Sequence, residues 1–190
     1  MATPPNLDHL QQIHELNRAF LGLLQTRVRA DRPCFGLPPS ARPAVAGAGQ
    51  DWLDALAGFP RALFEVQTGP RPWPNRPALG AYFDQAEHDL CLSILFAARH
   101  TSRVSPYQAR LLFGLETREV DRLGALPLTD LQRLARQPGA LQCALRERHW
   151  FWAGLITATR PELRRQLTLM ALQPGIALEW PQRRPPHASA

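Results

Sequence analysis

The sequence contains no lysine: all 22 basic residues are arginine, and only four of its 190 residues are isoleucine. That bias is first of all the codon signature of a GC-rich genome, although arginine is also the better ligand for phosphate and guanine wherever it faces nucleic acid. Long apolar runs are missing too. The longest stretches, Leu90–Ala98 and Trp150–Ala158, fall far short of the roughly 20 residues that span a bilayer. The N-terminus, Met1-Ala-Thr-Pro-Pro, lacks a basic segment followed by an apolar core, so no secretion signal is expected. Cysteine is scarce, with three residues and no C-x-x-C spacing, which fits a reducing cytoplasm and excludes a closed zinc site on this chain. No glycine-rich phosphate loop, nucleophile elbow or cluster of acids and bases is found, so neither catalysis, a small-molecule substrate nor a cofactor is expected.

What is present is an ordinary globular composition, 45% hydrophobic and 20% charged, long enough to bury a core without disulfides or metal. The charge is unevenly spread. Residues 1–98 carry eight arginines against nine acids, whereas residues 99–190 carry fourteen against seven. The positive excess therefore sits in the second half, where it can serve a polyanion-facing surface or a solvated helical one.

A first amphipathic helix is expected from Leu7 through Leu10, Ile13, Leu16, Phe20, Leu23 and Leu24, with Asn6 or Asp8 as its N-cap. Thr68-Gly-Pro-Arg-Pro-Trp-Pro-Asn-Arg-Pro holds four prolines, which forbids a regular helix and marks a linker over 68–80. A second long helix is expected from about Ala81 to Thr101, with Phe83, Ala86, Leu90, Ile94 and Ala97 on its buried side. After an aromatic segment and helix over 149–178, residues 179–190 are proline-rich and basic, and read as a flexible tail.

The two halves resemble each other. Sliding residues 35–63 onto 113–141 at an offset of 78 gives nine ungapped identities, among them Phe35/Phe113, Gly36/Gly114, Leu37/Leu115, Pro60/Pro138 and Leu63/Leu141. Upstream, an offset of 76 superimposes Leu16 on Leu92, Phe20 on Phe96, Arg27 on Arg103 and Val28 on Val104. Matched glycines and prolines carry most weight, because they mark backbone geometry rather than composition. The expected fold is all-α: two tandem repeats, over 1–67 and 81–148, each a long helix, a Phe-Gly-Leu corner, short helices and a brief extended segment.

Within the second repeat, Ser105 to Leu123 has the outline of a helix-turn-helix: Ser105 as cap, Pro106 in the first turn, Gly114 at the corner, and Leu115, Val120 and Leu123 packing back. As a DNA reader it would present Arg110, Thr117, Arg118 and Arg122, with Arg118 the best placed for a base edge or phosphate. Arg110, four residues before the glycine, stands where that motif normally has a small side chain. A plain αα-corner inside a bundle has the same apolar pattern. His149-Trp-Phe-Trp152 concentrates aromatics, either to fill a core or, with Arg146 and Arg148, to dock a partner. His88 and Cys91 share a helix without a second ligand pair, and His14 flanks the first apolar stripe as a packed histidine.

With the repeat in view, both copies resemble the FlhD family, the smaller subunit of the bacterial flagellar master regulator. The resemblance rests on Gln12–Gln25 with Asn17 and Phe20, echoed by Asp89–Arg99, and on Ala109–Arg146 with Phe113-Gly-Leu, Leu123-Gly-Ala-Leu-Pro-Leu, Leu131–Arg136 and Leu141–Arg146. It covers residues 7–66 and 84–147. It implies a cytoplasmic transcription activator subunit, with little DNA affinity alone, that pairs with an FlhC-like, zinc-binding subunit on promoter DNA and acts through RNA polymerase. Flagellar genes or conjugative-element transfer genes are its expected targets. Phe20, Phe35, Phe113, Trp150 and Trp152 would then belong to partner interfaces, and the two copies would form an intramolecular pseudo-dimer. Cys143 falls where the family carries an interface cysteine, but its first-copy counterpart is Glu65. The alternative is a helical adaptor or anti-regulator that binds protein and no DNA.

Overall fold

A computed structural model describes residues 7–68, 84–146, 149–157 and 161–172, and the structural statements below concern these residues. The first long helix, α1 (Leu7–Arg29), forms where Ile13, Phe20, Leu21 and Leu24 recur at helical spacing, and all four are fully buried. Asp8 lies inside the first turn, where it favours the helix dipole, and so is not the N-cap; Asn6 falls outside the described residues. The chain then leaves the helix through Asp31, Phe35 and Gly36, all at positive φ, into a 3-10 turn (Pro39–Ala41) that continues as α2 (Arg42–Gly47), followed by α3 (Gln50–Ala57) and strand β1 (Phe64–Val66).

The second half repeats this order with one addition. Helix α4 (Gln85–Val104) starts at the Asp84 side chain, which accepts from the Ala86 and Glu87 amides. It runs past Thr101 to Val104, and its buried face is Cys91, Ile94, Leu95, Ala97 and Ala98. Ala86, expected on that face, is exposed, because the stripe is rotated toward Cys91 and Leu95; Ala81 and Phe83 lie outside the described residues. Helix α5 (Pro106–Phe113), which has no counterpart in the first half, is followed by α6 (Thr117–Ala125), α7 (Leu128–Ala135) and β2 (Leu141–Cys143). Pro39–Gly47 and α6 have the same length and lie 78 residues apart, as do α3 and α7. Helices α8 (His149–Thr157) and α9 (Pro161–Leu172) complete the described chain. Nine α-helices and two strands make up the described residues, an all-α architecture with a minor sheet.

The strands pair antiparallel, Phe64 with Cys143, Glu65 with Gln142 and Val66 with Leu141. Alternation sends Phe64, Leu141 and Cys143 into the core and sets Glu65 and Gln142 together on the opposite face. Beyond the ladder, the Cys143 amide donates to Phe35 O at 2.7 Å, and the Ala62 amide to Leu112 O at 2.7 Å. β2 is thus bonded to the Phe-Gly-Leu corner of the first half, and the segment before β1 to the end of α5. The buried apolar residues form one cluster drawn from both halves.

Two polar side chains hold the first half to its long helix. Asn17, fully buried, donates from Nδ2 to the carbonyls of Arg61 (3.0 Å), Phe59 (3.3 Å) and Ala57 (3.4 Å), and its Oδ1 accepts from the Leu63 amide (2.8 Å). Gln25 likewise donates to Val45 O and Ala48 O, tying α2 to α1. These bonds satisfy backbone groups that a non-helical buried loop would otherwise leave without partners.

Candidate functional site

Ser105 to Leu123 folds as two helices joined at Gly114, an arrangement that a helix-turn-helix and a plain αα-corner share. The Ser105 hydroxyl accepts from the Gln108 amide, Pro106 occupies the first turn of α5, and Gly114 ends the helix at φ +68°. A side chain at Gly114 would be strained by that φ, and a Cβ there would also run into the guanidinium of Arg61. Val120 and Leu123 are buried as expected, and Leu115 half-buried. Ala109 is fully buried, whereas Arg110 is exposed and so stays out of the packed face of α5. Helix α6 begins with a reciprocal capping box in which Glu116 and Glu119 each engage the other's backbone amide.

Arg110, Thr117, Arg118 and Arg122 are all exposed. Arg118 and Arg122, one turn apart on α6, line a cleft of about 440 Å³ together with Arg146 from just beyond β2; Arg110 and Thr117 are not part of that lining. The cleft lies beside β1, between Glu65–Thr68 and the Phe113–Glu119 segment. Its carboxylates are engaged: Glu65 accepts from the Leu145 amide, and Glu119 from the Glu116 amide and the Thr68 hydroxyl. Arg146 donates to Gln142 Oε1 at 2.9 Å. Arg118 and Arg122 have no ion-pair partner among the described residues. Hydrogen bonds from neutral donors orient these carboxylates without neutralising them, so the walls carry three acids and three arginines side by side.

Arg146 and the three glutamates were not singled out as a site from sequence. The only signal for Arg146 was its place beside the aromatic segment; its approach to α6 depends on the β2 register and the turn through Leu145, at φ +55°, which periodicity does not disclose.

Four of the five aromatic residues expected at partner interfaces lie in the chain's own core. Phe20 and Trp152 are fully buried, and Phe35 and Phe113 are 5% and 6% exposed. Phe20 sits between Phe35 and Phe64, Phe64 also meets Phe113, and the Arg27 guanidinium stacks on Phe35 at 4.4 Å. The Trp152 indole donates to Ala144 O at 2.8 Å while Phe151 packs edge-on against Phe59. The reason is burial: each of these four rings belongs to the one core cluster and presents almost no surface to a partner. Trp150 lies in α8, and its side chain is outside the described residues.

The remaining candidates do not converge on chemistry. Cys91 points into the core, and burial, helped by the Glu87 charge, pushes its thiol up to about 12; His88 instead meets Asp89 at 3.1 Å. No group of three or more His, Cys, Asp or Glu able to hold a metal occurs among the described residues. Cys34 and Cys143 are buried free thiols, Cys143 Sγ lying 3.8 Å from Cys34 O, and burial raises both. No described helix is long and apolar enough to cross a membrane.

The chain matches no protein-family model, no curated protein and no solved structure.

Proposed function

We propose that this chain is an FlhD-like regulatory subunit, built of two tandem repeats, that assembles with an FlhC-like zinc-binding partner on promoter DNA in the cytoplasm and activates transcription through RNA polymerase. The carrying observation is the helix–corner–helix of α5, Gly114 and α6, from which Arg110, Thr117, Arg118 and Arg122 reach solvent while Arg118 and Arg122 stay unpaired among the described residues. The repeat reading draws support from helix bounds that recur 78 residues apart. Flagellar or conjugative-element transfer genes are the targets the resemblance implies.

The test is DNA binding by the complex co-purified with the partner subunit, followed by fluorescence anisotropy across a salt series. Each phosphate contact contributes a slope of about −0.9 in log K against log salt, so Arg118→Ala/Arg122→Ala should flatten the slope by about 2. An unchanged slope removes these arginines from the DNA contact. A complex with no salt-dependent DNA binding supports the second reading, an adaptor or anti-regulator, which the acids interleaved with arginines around the cleft favour.

A further inference from the structure

The outward face of α4 is laid out symmetrically about one ring. Asp89, Phe96 and Arg103 recur every seven residues and so share one stripe of the helix, with Ser93 and His100 between them. All five are exposed, Phe96 by 39%, and half-buried Leu92 flanks the ring. At the 76-residue offset the stripe matches Ile13, Phe20 and Arg27 of α1, all buried, so α4 leaves open a seam that α1 covers. The two halves of the chain do not meet there, because α4 enters the common core through Cys91, Ile94 and Leu95 instead. The face is also polarised in charge. At its N-terminal end Asp84 and Glu87 are matched by Arg27 and Arg32, which leaves Asp89 as the excess charge. Gln85 Nε2 donates to Asp89 Oδ1 at 2.6 Å and His88 Nδ1 lies 3.1 Å from the same oxygen, contacts that orient the carboxylate on the surface. At the other end stand Arg99, whose Nε donates to Leu126 O, and Arg103, which makes no ion pair among the described residues.

We infer that two copies of this chain pair through this face, α4 against α4 in antiparallel array, with the twofold axis at Phe96. A second copy is the occupant that the spacing fits. Asp89 and Arg103 lie equally far to either side of Phe96, about 10 Å by the rise of the helix, so a twofold rotation through the ring carries each Asp89 to the other copy's Arg103. The same rotation sets Phe96 against its own counterpart, the small Ser93 lets the two helices approach, and exposed Val104 extends the apolar surface past the arginine. A parallel array would set like charges together at both ends, so charge selects the antiparallel one. One helix face buries less than a standard interface, and the pair should accordingly form in the micromolar range. It uses none of Arg110, Thr117, Arg118 and Arg122 and needs neither DNA nor a partner subunit, so it stands independently of the regulatory reading.

The experiment follows the full chain alone by sedimentation velocity from low to high micromolar concentration, with a thermal melt of every variant as the check on folding. The parent should pass from one chain to two as concentration rises. Asp89→Arg and Arg103→Asp each turn two attractive contacts into two repulsive ones and should weaken pairing by about tenfold or more, as should Phe96→Ala. The double variant Asp89→Arg/Arg103→Asp exchanges the two ends and should recover the parent's affinity. An equimolar mixture of the two single variants should form a mixed pair although neither pairs with itself, a rescue that a loss of folding cannot imitate. A chain that stays single at every concentration, a pair that survives both charge reversals, or reversals that weaken it without either rescue overturns the inference. A chain that is single alone but loses its co-purified partner subunit on Arg103→Asp gives the face to that partner and overturns it as well.

Discussion

Replacing Asn17 by alanine isolates a polar clamp whose cost follows from its bonds. The amide group is fully buried and joins α1 to the segment between α3 and β1 through Arg61 O, Phe59 O, Ala57 O and the Leu63 amide. Truncation leaves the buried Leu63 N–H and at least one carbonyl without a partner. At about 1–3 kcal/mol for each of the two orphaned groups, the loss is about 2–6 kcal/mol, a large share of the roughly 5–15 kcal/mol that a domain possesses. For a chain of this size, at about 2–4 °C per kcal/mol, the melting temperature should fall by about 4 °C or more. Urea unfolding followed by circular dichroism measures it. Asn17→Leu restores volume but no hydrogen bonds, and so should be nearly as damaging if the bonds matter more than the space. The internal control is Ser93, the residue 76 positions on, whose hydroxyl bonds Asp89 O on an exposed part of α4; Ser93→Ala should stay within about 0.5 kcal/mol of the parent. A loss below about 1 kcal/mol for Asn17→Ala, or equal losses at the two positions, refutes the reasoning.

Trp152→Phe removes the indole bond to Ala144 O and should cost about 1–2 kcal/mol, whereas Trp152→Ala also opens a cavity and should cost about 3–5 kcal/mol; unchanged stability in the alanine variant would return Trp152 to a surface role. Arg118→Glu/Arg122→Glu should leave stability within about 0.5 kcal/mol because both side chains are exposed and unpaired among the described residues, so a cooperative loss of fold would contradict their placement. Burial works against the Asp84 carboxylate, but bonds from Arg27 and from the Glu87 and Ala86 amides outweigh it and hold it below its ordinary range. Its contribution is therefore present above the unfolded aspartate value and lost as pH falls. Asp84→Asn, which keeps a competent helix cap, should be destabilised at pH 7, with a deficit that shrinks as pH falls below the ordinary aspartate range in urea titrations; a deficit independent of pH refutes the charge effect. With Cys91 near 12 and Cys34 and Cys143 also raised by burial, a thiol-selective disulfide reagent at pH 8 should label the folded chain only as fast as it opens; prompt labelling of any of the three refutes their burial.

The backbone plan was legible in sequence wherever geometry is written in residue type. Ser105, Pro106 and Gly114 announced α5 and its corner because a cap, a first-turn proline and a left-handed glycine each have few other uses. Direction was less legible. Helix α8 is apolar almost all round, so periodicity could not say whether Phe151 and Trp152 face inward or outward, and packing between both halves decided it. Phe20 and Phe96 are the same residue at matched positions, yet one is fully buried between Phe35 and Phe64 and the other is 39% exposed. The cleft was illegible for the same reason, since Arg146 joins Arg118 and Arg122 only through strand register and a turn.

These differences between matched positions have a common sense. Arg27 is buried between Asp84 and Glu87, bonded to Pro33 O and stacked on Phe35, while Arg103 is exposed beside Gly124. Asn17 clamps four backbone groups, while Ser93 bonds one carbonyl of its own helix. Gln25 holds α2 in place, whereas the buried Thr101 hydroxyl finds no partner. In each pair the first half spends its polar group on internal bonds and the second leaves it exposed, locally bonded or unused. A duplicated unit would be free to diverge in this way, because a core shared by both halves needs its buried clamps in only one of them. The other half can then carry unpaired arginines on its surface at little cost to the fold, which is where the excess positive charge of the sequence lies.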